Sequence, residues 1–386
     1  MKEINVGLVG YKFMGKAHSN AFKRVGMFFD CPVQINMRAI CGRDEAGVSK
    51  AARKFGWDSY ETSWEKLVTR DDIGLVDITA PSDAHKVIAL AAAENGKNIF
   101  CEKPLALSLE DAREMLASVE KNGVAHQIGF NYRFAPAVRL MKQIIDDGKI
   151  GAIRHVRASY LQDFIIDPDF PLIWRLQKEV CGSGSLGDLG AHFIDLARYL
   201  CGEFKSVAGM QKTFIKSRPK VQSMTGLSAS ADAGAERGEV DVDDGTVFIA
   251  EFANGALGVF EATRFAQGHK NDLSIEINGD KGSLKFVFER MNELQYFSAA
   301  DEPGLQGFRL IQASEGIHPY MSAWWPAGHV IGYEHTFVHE MFEFVSAIDA
   351  GRPASPSFAD GVECSRVIRA VELASERRAA VDIDTL

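Results

Sequence analysis

Asp188 and His192 stand four residues apart in Gly187-Asp188-Leu189-Gly190-Ala191-His192, so on a helix they share a face, with Asp195 one turn further along. A carboxylate beside an imidazole raises its basicity and fixes its tautomer, as a general base requires. The plainer alternative is a capping aspartate beside a half-buried, satisfied histidine. Lys103 follows the apolar run Ile99-Phe100-Cys101 and Glu102, and precedes Pro104. Such a run reads as a buried strand, which sets Lys103 at the carboxyl end where parallel α/β sheets hold their ligands. Pro104 favours a cis Lys103–Pro104 bond far more than an average residue would, and that bond would fix the lysine's direction. A lysine at an ordinary loop start is the alternative.

The elements around Lys103 favour the first reading. Ile4–Val9 reads as a strand running into Gly10-Tyr11-Lys12-Phe13-Met14-Gly15 and then a helix over about 16–25, the context of a dinucleotide fingerprint. Lys12 replaces the second glycine, which normally lets the backbone approach a pyrophosphate; its ammonium would compensate electrostatically. Gln34–Cys41 and a helix at Glu45–Phe55 flank Gly42-Arg43-Asp44. Gly42 stands where an NAD-specific site carries an acid, and Arg43 permits NADP, while Asp44 can still reach the ribose. Arg43 stacking on adenine is equally compatible, so NAD and NADP both remain open. Leu75–Thr79 is a third strand, with exit turn Ala80-Pro81-Ser82 and a helix at Asp83–Asn95 capped by Ser82. The strand ending at Cys101 and Ala125–Phe130 complete five, with Ser108 capping the helix between them. Strands alternating with helices predict a doubly wound parallel sheet.

The rest of the chain changes pattern. A helix at Val138–Asp147 leads to an alternating strand, Ile153–Leu161, and an aromatic, proline-rich stretch, Gln162–Gly182. Val207–Phe214, Thr246–Phe252, Gly258–Arg264, Leu273–Asn278 and Ser283–Phe288 read as strands joined by tight turns, Asn254-Gly255 among them. That predicts an α+β domain with a largely antiparallel sheet. The Gly/Ala/Ser-rich segment Ser217–Glu239 is expected to be a mobile insertion or lid. His335 and His339 have the four-residue spacing of zinc helices but lack H-E-x-x-H and nearby partners, so no metal is expected. Tyr132, Gln162, Trp174 and Tyr333 could form a wall with the aromatic face and polar edges that carbohydrate needs; packing is the plain alternative.

A formal net charge of −9, without any basic block, gives no invitation to nucleic acid. No apolar stretch approaches the roughly 20 residues of a membrane span. The six scattered cysteines suit buried, reduced thiols, and without an export signal the expected location is the cytoplasm.

Gly7-Leu8-Val9-Gly10 with Gly15-Lys16-Ala17-His18, Thr79-Ala80-Pro81 with His85, Cys101-Glu102-Lys103-Pro104-Leu105, Gly187–His192 and Val242-Asp243-Asp244 together resemble the glucose–fructose oxidoreductase / inositol dehydrogenase (Gfo/Idh/MocA) family. Within it, Gly129–Phe134, Tyr160–Trp174 and Ala323–His335 look most like levoglucosan dehydrogenase-like and related pyranoside dehydrogenases. The resemblance implies an α/β chain: a Rossmann domain over residues 1–131 and an α+β domain over 132–386. It implies that the open sheet of the second domain builds homodimers or homotetramers, and that the C-terminal helices can pack back on the first. It also implies NAD(P)-dependent oxidation of a secondary hydroxyl on a sugar, anhydrosugar or cyclitol, with Lys103, Asp188 and His192 as the catalytic group. Lys103 then either stabilises the developing oxyanion or relays the proton itself. The cofactor residues implied are Gly10, Lys12, Phe13, Met14, Gly15, Gly42, Arg43, Ala80, Pro81, His85, Glu102 and Lys103. Substrate residues would be Lys103, Tyr132, Gln162, Trp174, Asp188, His192 and Tyr333. A redox-assisted, NAD-recycling glycosidase and a non-catalytic dinucleotide-binding regulator are the alternatives.

Overall fold

The computed structural model describes residues 2–225, 228–232 and 234–386. They fall into two compact units: Met1–Asn131 with Thr225–Ser228 and Tyr333–Ser365, and Tyr132–Met224 with Ala229–Gly332 and Arg366–Leu386.

The first unit runs β1 (Lys2–Val9), α1 (Phe13–Phe28), β2 (Val33–Cys41), α2 (Glu45–Phe55), β3 (Ser59–Glu61), α3 (Trp64–Val68), β4 (Leu75–Ile78), α4 (His85–Glu94), β5 (Asn98–Glu102), α5 (Leu109–Asn122) and β6 (His126–Gly129). The strands form one sheet in the order β3-β2-β1-β4-β5-β6, parallel throughout. This is the doubly wound order that reverses beside β1, where dinucleotides bind. The sheet has six strands, not five: β3 has only three residues, too short for its alternation to register in sequence. Ser108 caps α5 as expected, its Oγ accepting the Asp111 amide. Ser82 does not cap: Ser82–Ala84 forms a 3₁₀ turn ahead of α4, and the Ser82 side chain makes no cap bond.

The second unit opens with α6 (Pro136–Asp146), β7 (Ile153–Leu161), α7 (Lys178–Cys181), α8 (Ala191–Cys201) and β8 (Phe204–Lys212). Short strands β9 (Ser217–Pro219), β10 (Ser223–Thr225), β11 (Ser228–Ser230) and β12 (Arg237–Glu239) follow. Then come β13 (Gly245–Phe252), β14 (Leu257–Thr263), β15 (Asp272–Gly279), β16 (Gly282–Val287), β17 (Glu293–Ser298) and β18 (Arg309–Gln312), and near the C-terminus β19 (Val381–Asp382). Nine of these make a sheet in the order β18-β17-β16-β15-β7-β14-β13-β8-β19, antiparallel except for β14 beside β7. Helix α8 buries Phe193 against Phe248 and Phe260 of the sheet, an aromatic cluster that fixes the helix on one face.

Helix α9 (Tyr333–Ala350) belongs to the first unit, where Phe337 meets His18 of α1, and Phe344 meets Phe100 of β5. Helix α10 (Phe358–Arg377) starts in the first unit and ends in the second.

The segment expected as an insertion carries two short ladders of its own, β9 with β12 and β10 with β11; residues 226, 227 and 233 lie outside the described set. β9 and β12 pair antiparallel. The fully buried Arg218 guanidinium donates to three carbonyl oxygens of the Gln162–Gly182 stretch: Ile165 at 2.6 Å, Asp167 at 2.7 Å and Phe170 at 3.2 Å. Arg237 adds donations to Pro168 O and to Asp169. Leu172, Ile173 and Leu176 of that stretch share a small core with Val240 and Val242.

Candidate active site

In the first unit the expected cofactor residues lie at the carboxyl ends of β1, β2, β4 and β5, in the loops there and the element ends that flank them. Gly10 has φ +106°, and a Cβ on Gly15 would stand 2.0 Å from the Gly10 carbonyl oxygen. Strand, turn and helix are therefore packed tightly enough to admit only glycine at these two points. Helix α1 starts at Phe13 without a side-chain cap and without an acid in its first turn. Such a start leaves its first amides and positive dipole end for an anion, and exposed Lys12 adds a positive charge. These residues fit the pyrophosphate of a dinucleotide.

The turn after β2 explains the absent acid. A Cβ on Gly42 would stand 2.3 Å from the Tyr11 ring, so glycine there makes room for the tyrosine. The Tyr11 hydroxyl donates to Asp44 Oδ2 at 3.2 Å, setting a carboxylate two residues beyond the usual position. Arg43 is exposed. Phe13, nearly half exposed, stacks on Tyr333 at 6.4 Å, and Tyr333 packs edge-on against Phe337.

His85 and Glu102 sit beneath these loops rather than at their surface. The buried His85 ring lies between Pro104 O at 2.9 Å and Ala80 O at 3.0 Å, joining the turn Ala80-Pro81 to the loop after Lys103, and burial pushes its pKa down. Glu102 is buried, with Oε2 accepting the Lys103 amide at 3.1 Å. The Lys103–Pro104 peptide is cis.

In the second unit, Leu186–Gly190 is a π-helical turn that passes into α8 at Ala191. Asp188 thus lies in the wider turn and His192 in the α-helix proper, a departure from the continuous α-helix that the spacing suggests; such π turns recur at functional sites. Asp243, buried ahead of β13, holds this start. Its Oδ1 accepts Gly184 N at 2.8 Å; its Oδ2 accepts Leu186 N at 2.9 Å, Ser185 Oγ at 2.5 Å and Thr246 Oγ1 at 2.8 Å. Asp188 Oδ2 lies 3.7 Å from Arg175 Nε and 3.9 Å from Nη1 of the fully buried Arg264. The Arg175 guanidinium in turn covers the Trp174 ring at 4.1 Å.

The imidazole of His192 stacks on Tyr132, 4.4 Å between centroids, and Tyr132 is backed by Phe288 at 4.1 Å. Tyr132 is buried, and its ring is a platform for His192. Its hydroxyl meets that of Tyr160 at 2.8 Å, and Asn271 Oδ1 accepts from Tyr160 at 2.6 Å and from Gln162 Nε2 at 3.0 Å. Asp195, one turn beyond His192, is a structural partner of Arg133, bonded through both oxygens at 2.7 and 2.5 Å.

Two stretches match known family domains: residues 4–130 the oxidoreductase family NAD-binding Rossmann fold, and residues 138–285 the GFO/IDH/MocA C-terminal domain. Levoglucosan dehydrogenase of Pseudarthrobacter phenanthrenivorans is 42% identical, the match covering 99% of each chain. The chain belongs to the Gfo/Idh/MocA family. Among solved structures, an oxidoreductase domain protein from Kribbella flavida superposes with a TM-score of 0.94 at 48% identity, over 99% of this chain and 100% of the other. Levoglucosan dehydrogenase in complex with NADH and levoglucosan superposes with the same TM-score at 42% identity, over 99% of each. As a family member, the chain is an NAD-binding oxidoreductase.

Sequence reasoning left Asp77, Tyr160, Asn271, Arg175 and Arg264 without roles. Asp77 carried a signal: an ionisable residue inside the apolar strand Leu75-Val76-Asp77-Ile78 must have a buried partner. Asn271, over a hundred residues from the tyrosines it joins, offered none.

Proposed function

We propose that this protein oxidises a secondary hydroxyl of an anhydrosugar or related pyranose, passing the hydride to NAD. The observation that carries the reading is full-length similarity to levoglucosan dehydrogenase in a chain that carries Lys103, Asp188 and His192. When bound, NAD supplies the two-electron acceptor. The carbinol C–H leaves as hydride and the O–H proton goes to a base, leaving a ketone. His192 takes that proton through its imidazole; Tyr132 fixes the ring plane, while the Asp188 carboxylate favours the imidazolium that forms. Lys103 donates a hydrogen bond to the substrate oxygen and stabilises its developing charge. Gly10–Gly15 and the α1 amides receive the pyrophosphate, and Asp44, held by Tyr11, accepts from the adenosine ribose. His85 and Glu102 hold the loops that present Ala80, Pro81 and Lys103. Gln162 and Trp174 face the sugar, one as a polar edge and one as an apolar face.

The protein is cytoplasmic and homo-oligomeric in this reading. Supporting the first, all six cysteines are free thiols and five are buried. Supporting the second, Met210, Val247, Ile249, Leu257 and Val259 form an exposed apolar patch across β8, β13 and β14.

The test is an assay of levoglucosan, simple pyranosides and inositols with NAD, following NADH absorbance together with sugar release. NADH formation with levoglucosan or a pyranose, without sugar release, is expected. Sugar released without net NADH would instead mark an NAD-recycling glycosidase, and silence with every substrate would overturn the dehydrogenase reading.

A further inference from the structure

A histidine and two carboxylates buried in the first unit contribute no group to the proton and hydride transfers described above. His18 comes from α1, Asp77 from β4 and Glu102 from the end of β5. His18 Nδ1 lies 2.8 and 3.0 Å from the two Asp77 oxygens, and Nε2 lies 3.0 Å from Glu102 Oε1. A neutral imidazole has one N–H, whereas here both nitrogens face carboxylates, so the ring is the cation with two donors. Burial works against that charge, but Asp77 and Glu102 overcome it and hold the pKa at about 10. Phe100 and Phe337 enclose the ring at 5.3 and 5.4 Å between centroids. Gly129 leaves room for the Glu102 carboxylate: a Cβ there would stand 2.9 Å from Oε1.

One oxygen of Glu102 is therefore pinned by His18, and the other accepts the main-chain amide of Lys103. We propose that His18, braced by Asp77, is a positioning residue for Lys103: it locks the carboxylate that fixes the Lys103 backbone where β5 ends. Without the cation, Glu102 would be a buried carboxylate lacking its counter-charge and would turn away, releasing the Lys103 amide. The inference rests on Lys103 acting in hydride transfer.

The test is a cycle of variants in the full-length enzyme with NAD and levoglucosan. His18→Gln is expected to lower kcat about 100-fold, as a small misplacement of a reacting group does. KM for levoglucosan and the NADH affinity, measured by fluorescence titration, stay near wild type. The double variant His18→Gln/Lys103→Ala is expected to be no slower than Lys103→Ala, because the two residues act as one unit. Asp77→Asn keeps the side-chain volume and is expected to give a smaller fall in kcat with the same unchanged affinities. It decides the matter if His18→Gln does not fold. Wild-type kcat in whichever of these single variants folds, or rate losses that multiply in the double variant, would overturn the positioning role. Unimpaired turnover in Lys103→Ala would instead overturn the catalytic reading of Lys103 itself, and this inference with it.

Discussion

The exit of β5 and the start of α8 both hold residues proposed for catalysis, and they do so by different physics. At β5 the support is ionic: a buried imidazolium between two carboxylates, one of which holds the Lys103 amide. At α8 it is a single carboxylate, Asp243, acting as a multiple cap on Gly184, Ser185 and Leu186. The difference teaches that a parallel-sheet edge, where strands end side by side, can be braced across neighbouring strands. A helix start arriving over a sheet needs a partner from the adjoining strand segment. The first support depends on charge, the second on hydrogen-bond geometry.

The largest effect separates the groups held from the groups that hold. His192→Ala should lower turnover at least about 100-fold while NADH binding survives, since a positioned base typically contributes about 10²–10⁴-fold. Near-normal turnover would leave α8 as scaffold only. Next, Asp243→Ala should destabilise the protein by roughly 3 kcal/mol or more in urea unfolding, because it takes the acceptor from two buried amides and the Thr246 hydroxyl, at about 1–3 kcal/mol per buried group. A loss well under about 1 kcal/mol would mean that water replaces the cap.

The smallest effect, in pH, tests the ionic side. The His18 pKa is raised from 6.5 to about 10 in the fold, so its stabilisation is complete below about pH 6.5 and is lost as pH rises through about 10. Buried thiols, with pKa values also pushed up, add a decline of the same sign at the alkaline end. The difference between wild type and His18→Gln isolates the histidine: the wild-type melting temperature should fall more steeply over pH 6.5–10. Parallel curves would remove the charge from the argument.

The first unit was largely readable in sequence, because its signals are local. Buried parallel strands are continuous apolar runs, their exits carry glycine and proline, and Ser108 marks a helix start within three residues of its partner. What escaped was short or remote. β3 is three residues long, and the meaning of Gly42 depends on Tyr11, some thirty residues earlier. In the second unit the four-residue spacing of Asp188 and His192 was legible, but the π turn beneath Asp188 was not, since nothing in such a spacing separates the two helix types. Asp243 was visible as part of a family motif, yet its work is done on residues nearly sixty positions away. Trp174 could be picked out as an aromatic, but not the Arg175 that covers it and reaches Asp188.

The Arg218 and Arg237 tethers carry a consequence for redesign. The stretch bearing Gln162 and Trp174 takes its shape from carbonyl oxygens held by guanidinium groups some fifty to seventy residues downstream. That stretch, transplanted between relatives, would therefore arrive without its mould unless residues 217–239 travelled with it. The two segments form one exchangeable cassette, and recombination points belong outside both.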